Sequence, residues 1–241
     1  MSNSLHDAMR VRRREPTRLE GFVDASFAFA VTLVVIAVGH VPATVAEMML
    51  ALHGLPTFVV CFALISRIWL THRNWSRHYD LEDDVSLGLS LLLVFIVLVF
   101  VYPMRMLFAQ ALMAWSGGWL SDGSVELLQN LDELRTAYTV FGIGFAAIGF
   151  VFVLLYTHAL HNADRIGLDA GERIFTRMRR MAWCGHVSIS LVSIVLARGL
   201  PMQSVFEFSA PGFAYALNVL LGMLIRRCYG ARFARLPASG A

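Results

Sequence analysis

The chain has no lysine: all twenty of its basic residues are arginine. It is short of charge altogether. Asp, Glu, Lys and Arg make up 15% of its 241 residues, against roughly 25% in ordinary soluble domains. Cysteine is scarce too. Cys61, Cys184 and Cys228 each lie in or at the end of an apolar stretch, with no CxxC and no Cys/His cluster. That pattern gives neither a disulfide framework nor a zinc site. No GxGxxG, P-loop lysine motif or HExxH occurs, and no residue set reads as catalytic or cofactor-binding. A cleavable signal peptide is missing as well: the first twenty residues are polar and carry Arg10, Arg12, Arg13 and Arg14. The apolar stretch that follows, Phe22–Val38, exceeds a typical signal h-region and reads as a retained helix. These absences argue against a soluble enzyme.

What the chain has instead is apolar blocks. It is 57% hydrophobic, with a mean hydropathy of +0.63, and its blocks approach the ~20 residues that a helix needs to cross a hydrocarbon core. Six spans are predicted: Arg18–Gly39; Val45–Ser76, amphipathic at first and interrupted at Gly54–Pro56; Val85–Ala114, kinked at Pro103; Arg135–His161; Thr176–Arg198; and Pro211–Tyr229. The longest connection, Trp115–Leu134, has room for a short amphipathic helix over Val125–Leu131. The expected organisation is an N-terminal tail (1–17), a six-helix membrane domain (18–230) and a C-terminal tail (231–241).

Arginine placement orients the spans. Seventeen of the twenty lie before span 1, between spans 2 and 3, between 4 and 5, and after 6; only Arg105, Arg135 and Arg198 flank the other connections. By the positive-inside rule both termini are then cytoplasmic, as an even number of crossings also requires. Arginines set between spans form no continuous groove, so nucleic acid is not an expected partner; the bilayer is.

Span 1 carries the most informative run, Arg18-Leu-Glu-Gly-Phe22-Val-Asp24-Ala-Ser-Phe-Ala-Phe29-Ala-Val-Thr32-Leu33-Val-Val-Ile36. A carboxylate within a spanning helix is costly and calls for a partner. At ~100° per residue, Phe22, Phe29, Leu33 and Ile36 share one stripe, Thr32 flanks it, and Asp24 projects to the opposite side. Such a stripe suits lipid, packing or a pore, and the spacing alone does not choose.

Arg18-x-x-x-Phe22-x-Asp24 followed by an apolar helix resembles the Arg-x-x-x-Phe-Ser-Asp signature of the transmembrane protein 175 family. Trp69-Leu-Thr-His72-Arg-Asn-Trp75 is similar to that family's Trp-x-x-His pattern with a following aromatic, and Tyr102-Pro103 to a proline after an apolar run. The resemblance implies an all-α membrane protein of six helices, a potassium-selective channel without a filter loop. It further implies a homotetramer with span 1 innermost, apolar rings of Phe29, Leu33 and Ile36, Thr32 as the oxygen near them, and potassium as the permeant monovalent cation. It also implies a bacterial cytoplasmic (inner) membrane location and no cofactor. Two positions depart from the pattern: Val23 replaces the signature Ser, and Phe29 stands where a smaller aliphatic residue is usual.

A polar cluster of Arg18, Asp24, His72 and either Trp69 or Trp75 is expected where the start of span 1 meets the end of span 2. Two other groupings read as structural. His158 and His161 are expected to be solvated at a helix end, and the acidic run Asp80–Asp84 suits a helix N-terminus. The alternative functions are a secondary transporter or small-solute permease, against which stands the lack of an inverted repeat, and a non-conducting membrane interaction protein.

Overall fold

A computed structural model of the chain describes residues 9–36, 43–120, 130–201 and 205–233. All regular structure among them is helical: α1 (Arg18–Ile36), α2 (Val45–His53), α3 (Leu55–Tyr79), α4 (Asp84–Trp115), α5 (Leu131–His161), α6 (Ala170–Gly199), α7 (Val205–Phe213) and α8 (Leu217–Phe233). A single 3-10 turn, Ala214–Ala216, joins the last two. Among the described residues six helical stretches are long and apolar enough to span a bilayer: α1, α3, α4, α5, α6 and Glu207–Gly230. The end of span 1 beyond Ile36, and the helix expected at Val125–Leu131 up to residue 129, lie outside the described residues.

Capping chemistry explains where the helices start earlier than hydropathy indicates. Asp169 accepts the backbone N–H of Glu172 at 2.8 Å, and Glu172 returns the bond to the N–H of Asp169 at 3.1 Å. This reciprocal box starts α6 at Ala170, six residues before the expected Thr176, because satisfied N–H groups stabilise a polar first turn. Likewise Asn130 accepts from Asp132 and starts α5 at Leu131 rather than Arg135. Gly54 separates α2 from α3, and Pro56 falls in the first turn of α3, where its missing N–H costs nothing. Pro103 lies within an unbroken α4. The last span begins before Pro211, and the ladder tightens to 3-10 shortly after that proline, which cannot donate to it.

The core is built from α1, α3, α4 and α5: Val23, Phe27, Ala30 and Val34 meet Ile65, Ile68, Leu93, Val97, Met104, Ile148 and Phe152. Lipid tails are as apolar as these side chains, so packing of spans depends on close fit. Gly144 supplies such a fit. A Cβ there would collide with the ring of Phe100, which is itself held between Phe141 and Phe145 at centroid distances of 5.2 and 6.4 Å.

Residues 9–14, assigned by the sequence to a tail, form a strap across the arginine-rich end of the bundle. The N–H groups of Arg12 and Arg13 both donate to the carbonyl of Arg77. The Arg12 guanidinium grips Glu172 with two bonds, 3.0 and 2.7 Å, and reaches the carbonyls of His78, Ile166 and Gly167. The Glu172 side chain is 1% exposed. Arg13 pairs with Asp80 and Glu82; its hydrogen bond holds the Glu82 carboxyl below its usual range. Asp80, Glu82 and Asp83 of the acidic run are thus engaged in pairing and capping. Asp83 caps α4 through the N–H of Ser86 at 2.9 Å and takes His158 at 2.8 Å and Arg165 at 3.1 Å. His158 is therefore tucked against a carboxylate, 16% exposed, rather than solvated.

Glu172→Gln should lower the thermal midpoint in detergent, corresponding to a loss of about 3 kcal/mol, since it leaves Arg12 half-paired in a buried site. Asp83 gives a pH-dependent counterpart. Partial burial pushes its carboxyl up, but the bonds from Ser86 and His158 outweigh this and hold it well below the usual range. Its contribution is therefore full above the usual carboxylate range and lost only as pH falls through the depressed value. Asp83→Ala should cost about 1 kcal/mol at neutral pH. The gap to the parent should stay constant on mild acidification and close only in strong acid, as read by thermal midpoints across pH.

Candidate functional site

The first helix has two apolar faces. One, Val23, Phe27, Ala30 and Val34, is buried against α3 and α4, with the three-and-four spacing of a helix stripe. The other points away from the subunit's own core. Phe29 is 54% and Ile36 63% exposed; Phe22 and Thr32 are exposed beside them, and Leu33 is half-buried at the margin. Phe22, Phe29 and Ile36 thus lie outside the subunit's own core, while Leu33 packs partly against it. The Thr32 hydroxyl donates to the carbonyl of Ala28 at 3.1 Å.

Behind this face lies the acid. The indole N–H of Trp69 donates to Asp24 Oδ1 at 2.6 Å. The Arg73 guanidinium sits 5.5 Å from the Trp69 ring centroid. Carboxylate, indole and guanidinium thus form a continuous stack from α1 to α3. A charge-assisted bond of this kind is roughly twice as strong as a neutral one. Arg73 is a residue the sequence reading missed, although its place four residues after Trp69 puts the two on one helix face.

The rest of the expected cluster divides differently. His72 bonds Ser90 on α4 at 2.9 Å. The Ser90 hydroxyl itself donates to the carbonyl of Ser86, so it accepts from His72 and assigns the proton to His72 Nε2. Asp24 lies within electrostatic range of His72 without bonding it. Trp75 is buried, its ring tilted against His72 and Tyr79 at 6.3 and 5.8 Å, and no described residue accepts its indole N–H. Arg18 is exposed on the same side of α1 as Phe22. Geometry thus joins Asp24 with Trp69, and His72 with Ser90. It also buries Glu20, whose carboxylate oxygens have no hydrogen-bond partner among the described residues. Ser90 and Glu20 carry no local sequence signal beyond their helical register. Among the described residues no group of three or more His, Cys, Asp or Glu is arranged to hold a metal.

The Asp24–Trp69 bond should behave as one unit. Asp24→Ala and Trp69→Phe should each destabilise by about 1.5–3 kcal/mol, the range of hydrogen bonds to charged groups. The double variant should cost little more than either single one. Thermal unfolding of all four proteins in one detergent measures the coupling, and additive losses would show that the bond contributes nothing to it.

Comparison with known proteins bears on what such a helix is for. Residues 18–103 match the family model described as "Endosomal/lysosomal potassium channel TMEM175". A protein named potassium channel from Marivirga tractuosa is 31% identical over 232 residues, covering 93% of this chain and 92% of that one. The crystal structure of a variant of the potassium channel MtTMEM175, in complex with a nanobody–MBP fusion, superposes with a TM-score of 0.78. It is 27% identical in sequence, covering 92% of this chain and 97% of that one. The family model begins at Arg18 and takes in α1, the Trp69–Trp75 segment and most of α4, so it matches the elements that carry the site. The chain belongs to the TMEM175 family.

Proposed function

We propose that this chain is one subunit of a homotetrameric, potassium-selective channel in a bacterial cytoplasmic membrane, with α1 from each copy lining a central pore. The observation that carries the reading is the second apolar face of α1. Phe29, Thr32 and Ile36 lie on the outside of the subunit, on the helix where the family match begins. A single subunit cannot surround a pore lined by one kind of helix. Closed cyclic symmetry supplies the missing walls.

In this arrangement Phe29, Leu33 and Ile36 form stacked apolar rings. Such rings offer a cation no ligand and gate by dewetting. The chain has no TVGYG loop, so discrimination between ions falls to nearby side-chain oxygen. Thr32 suits that role because its proton is spent on the Ala28 carbonyl, which leaves the oxygen's lone pairs free to accept. Potassium is the permeant species, and no cofactor takes part. The arginine distribution supports cytoplasmic termini.

Recording from purified protein in liposomes under potassium and sodium gradients tests the reading. Current down the potassium gradient supports a channel; saturable, coupled flux would instead mark a transporter, and no flux a non-conducting protein. Leu33→Asn should ease wetting of the constriction and raise conductance. Thr32→Val should reduce discrimination between potassium and sodium while leaving the thermal midpoint unchanged. Native mass spectrometry should give four copies. Unchanged current in Leu33→Asn, in a protein shown to conduct, would remove α1 from the pore.

A further inference from the structure

Acids and arginines are not evenly mixed at the arginine-rich end of the bundle. Asp80, Glu82, Asp83, Asp164, Asp169 and Glu172 are all engaged by the strap arginines or by Arg165 and Arg173. A second group of arginines is left without them. Arg67 on α3 lies within electrostatic range of Arg179 on α6 and of Arg226 on α8. Arg179 and Arg226 line a cavity of about 300 Å³ whose walls include Asn74, Trp75 and Tyr156 and no Asp or Glu.

The cavity presents donors of hydrogen bonds. Arg179 is oriented by Tyr156: its Nε donates to the phenol oxygen at 3.3 Å, and its guanidinium carbon lies 5.9 Å from the ring centroid. No described residue bonds its two terminal nitrogens, which keep the fork geometry that matches a tetrahedral oxyanion. Like charges held near one another at low dielectric are costly. One anion bearing several acceptor oxygens relieves that repulsion.

The cavity size falls at the small end of ligand sites, roughly 300–1,000 Å³. Its position is interfacial: Trp75 and Tyr79 stand in the last two turns of α3, which ends at Tyr79. Basic pockets between spans at that depth accept phosphate headgroups. We propose that this cavity is a binding site for an anionic phosphate group, supplied by the headgroup of an anionic phospholipid or by phosphate in solution. The site is distinct from the outward face of α1 and does not depend on the pore assignment.

The test uses the full-length protein in mild detergent, with phosphatidylglycerol, phosphatidylcholine or inorganic phosphate added at matched ionic strength. Native mass spectrometry reads lipid retention, and thermal unfolding reads stabilisation. Phosphatidylglycerol should be retained in preference to phosphatidylcholine. Arg226→Gln, at an exposed position that the core does not need, should weaken retention roughly fivefold, the worth of one basic residue beside an anionic surface. Arg179→Lys keeps the charge and loses the fork, and should weaken it also. Arg14→Gln, exposed elsewhere, should not. Stabilisation by inorganic phosphate without lipid retention, lost in Arg226→Gln, would identify the source as soluble and uphold the site. Equal retention of both lipids, or an Arg226→Gln variant that binds like the parent, would overturn it.

Discussion

The attachment of α1 to the rest of the subunit depends on the hydrogen bond between Asp24 and Trp69. In a bilayer, apolar burial alone gives a helix little reason to prefer a protein neighbour over lipid. Fit supplies part of the attachment, through Val23, Phe27, Ala30 and Val34. The 2.6 Å bond supplies orientation. A helix that is apolar all round has no preferred rotation about its axis, whereas an acid with one available donor does. With Asp24 fixed on Trp69, Phe22 and Phe29 are turned outward. The signature acid thus determines which residues reach the outer face, although it is not on that face itself.

Charge is sorted at the arginine-rich end in the same economical way. The strap ties the start of α1 to α3 and α6 through Arg12, Glu172 and the Arg77 carbonyl. Four elements therefore share one polar knot just where the helices leave the apolar zone. Glu172 serves twice, closing the capping box of α6 and receiving Arg12. Asp83 likewise caps α4 and receives His158 from α5. With the carboxylates engaged there, Arg179 on α6 and Arg226 on α8 line a cavity with no Asp or Glu in its wall.

Much of this was legible in the sequence, and the gaps have physical causes. Bilayer thickness demands long apolar runs, so the six spans could be counted directly. The Gly54–Pro56 break shows for a similar reason: few residues terminate a helix so plainly. Helix starts were less legible, because Asp169 and Asn130 act through local hydrogen bonds that hydropathy does not register. Within the site, Asp24 stood out because a carboxylate in an apolar run is expensive, and the choice offered between Trp69 and Trp75 left its donor to tertiary structure. The pairing of His72 with Ser90 was hidden because a serine on a long apolar helix looks the same whether or not it has a partner. The strap was hidden for the opposite reason: an arginine-rich N-terminus reads as solvated until the acids that bind it are brought alongside.

The outward half of α1 is itself divided, and the division bears on the tetramer proposed above. At ~100° per residue, Phe22, Phe29, Leu33 and Ile36 occupy one strip. Gly21, Ala25, Ala28 and Thr32 occupy the next, and all four are exposed on the subunit. Nothing in the subunit lies within 4 Å of where a Cβ on Gly21 would stand. Small residues at this spacing let a neighbouring helix approach closely in a membrane. Around a four-fold axis each inner helix must do two things at once, contact the next copy and point side chains at the centre. A small strip beside a bulky strip meets both demands. Thr32 stands at the seam between the two strips, its hydroxyl held by its own helix. In the tetramer proposed above, the bulk of Phe29 would lie over the adjacent small strip of the next subunit, and the approach of the helices as well as ring size would set the narrowest apolar ring.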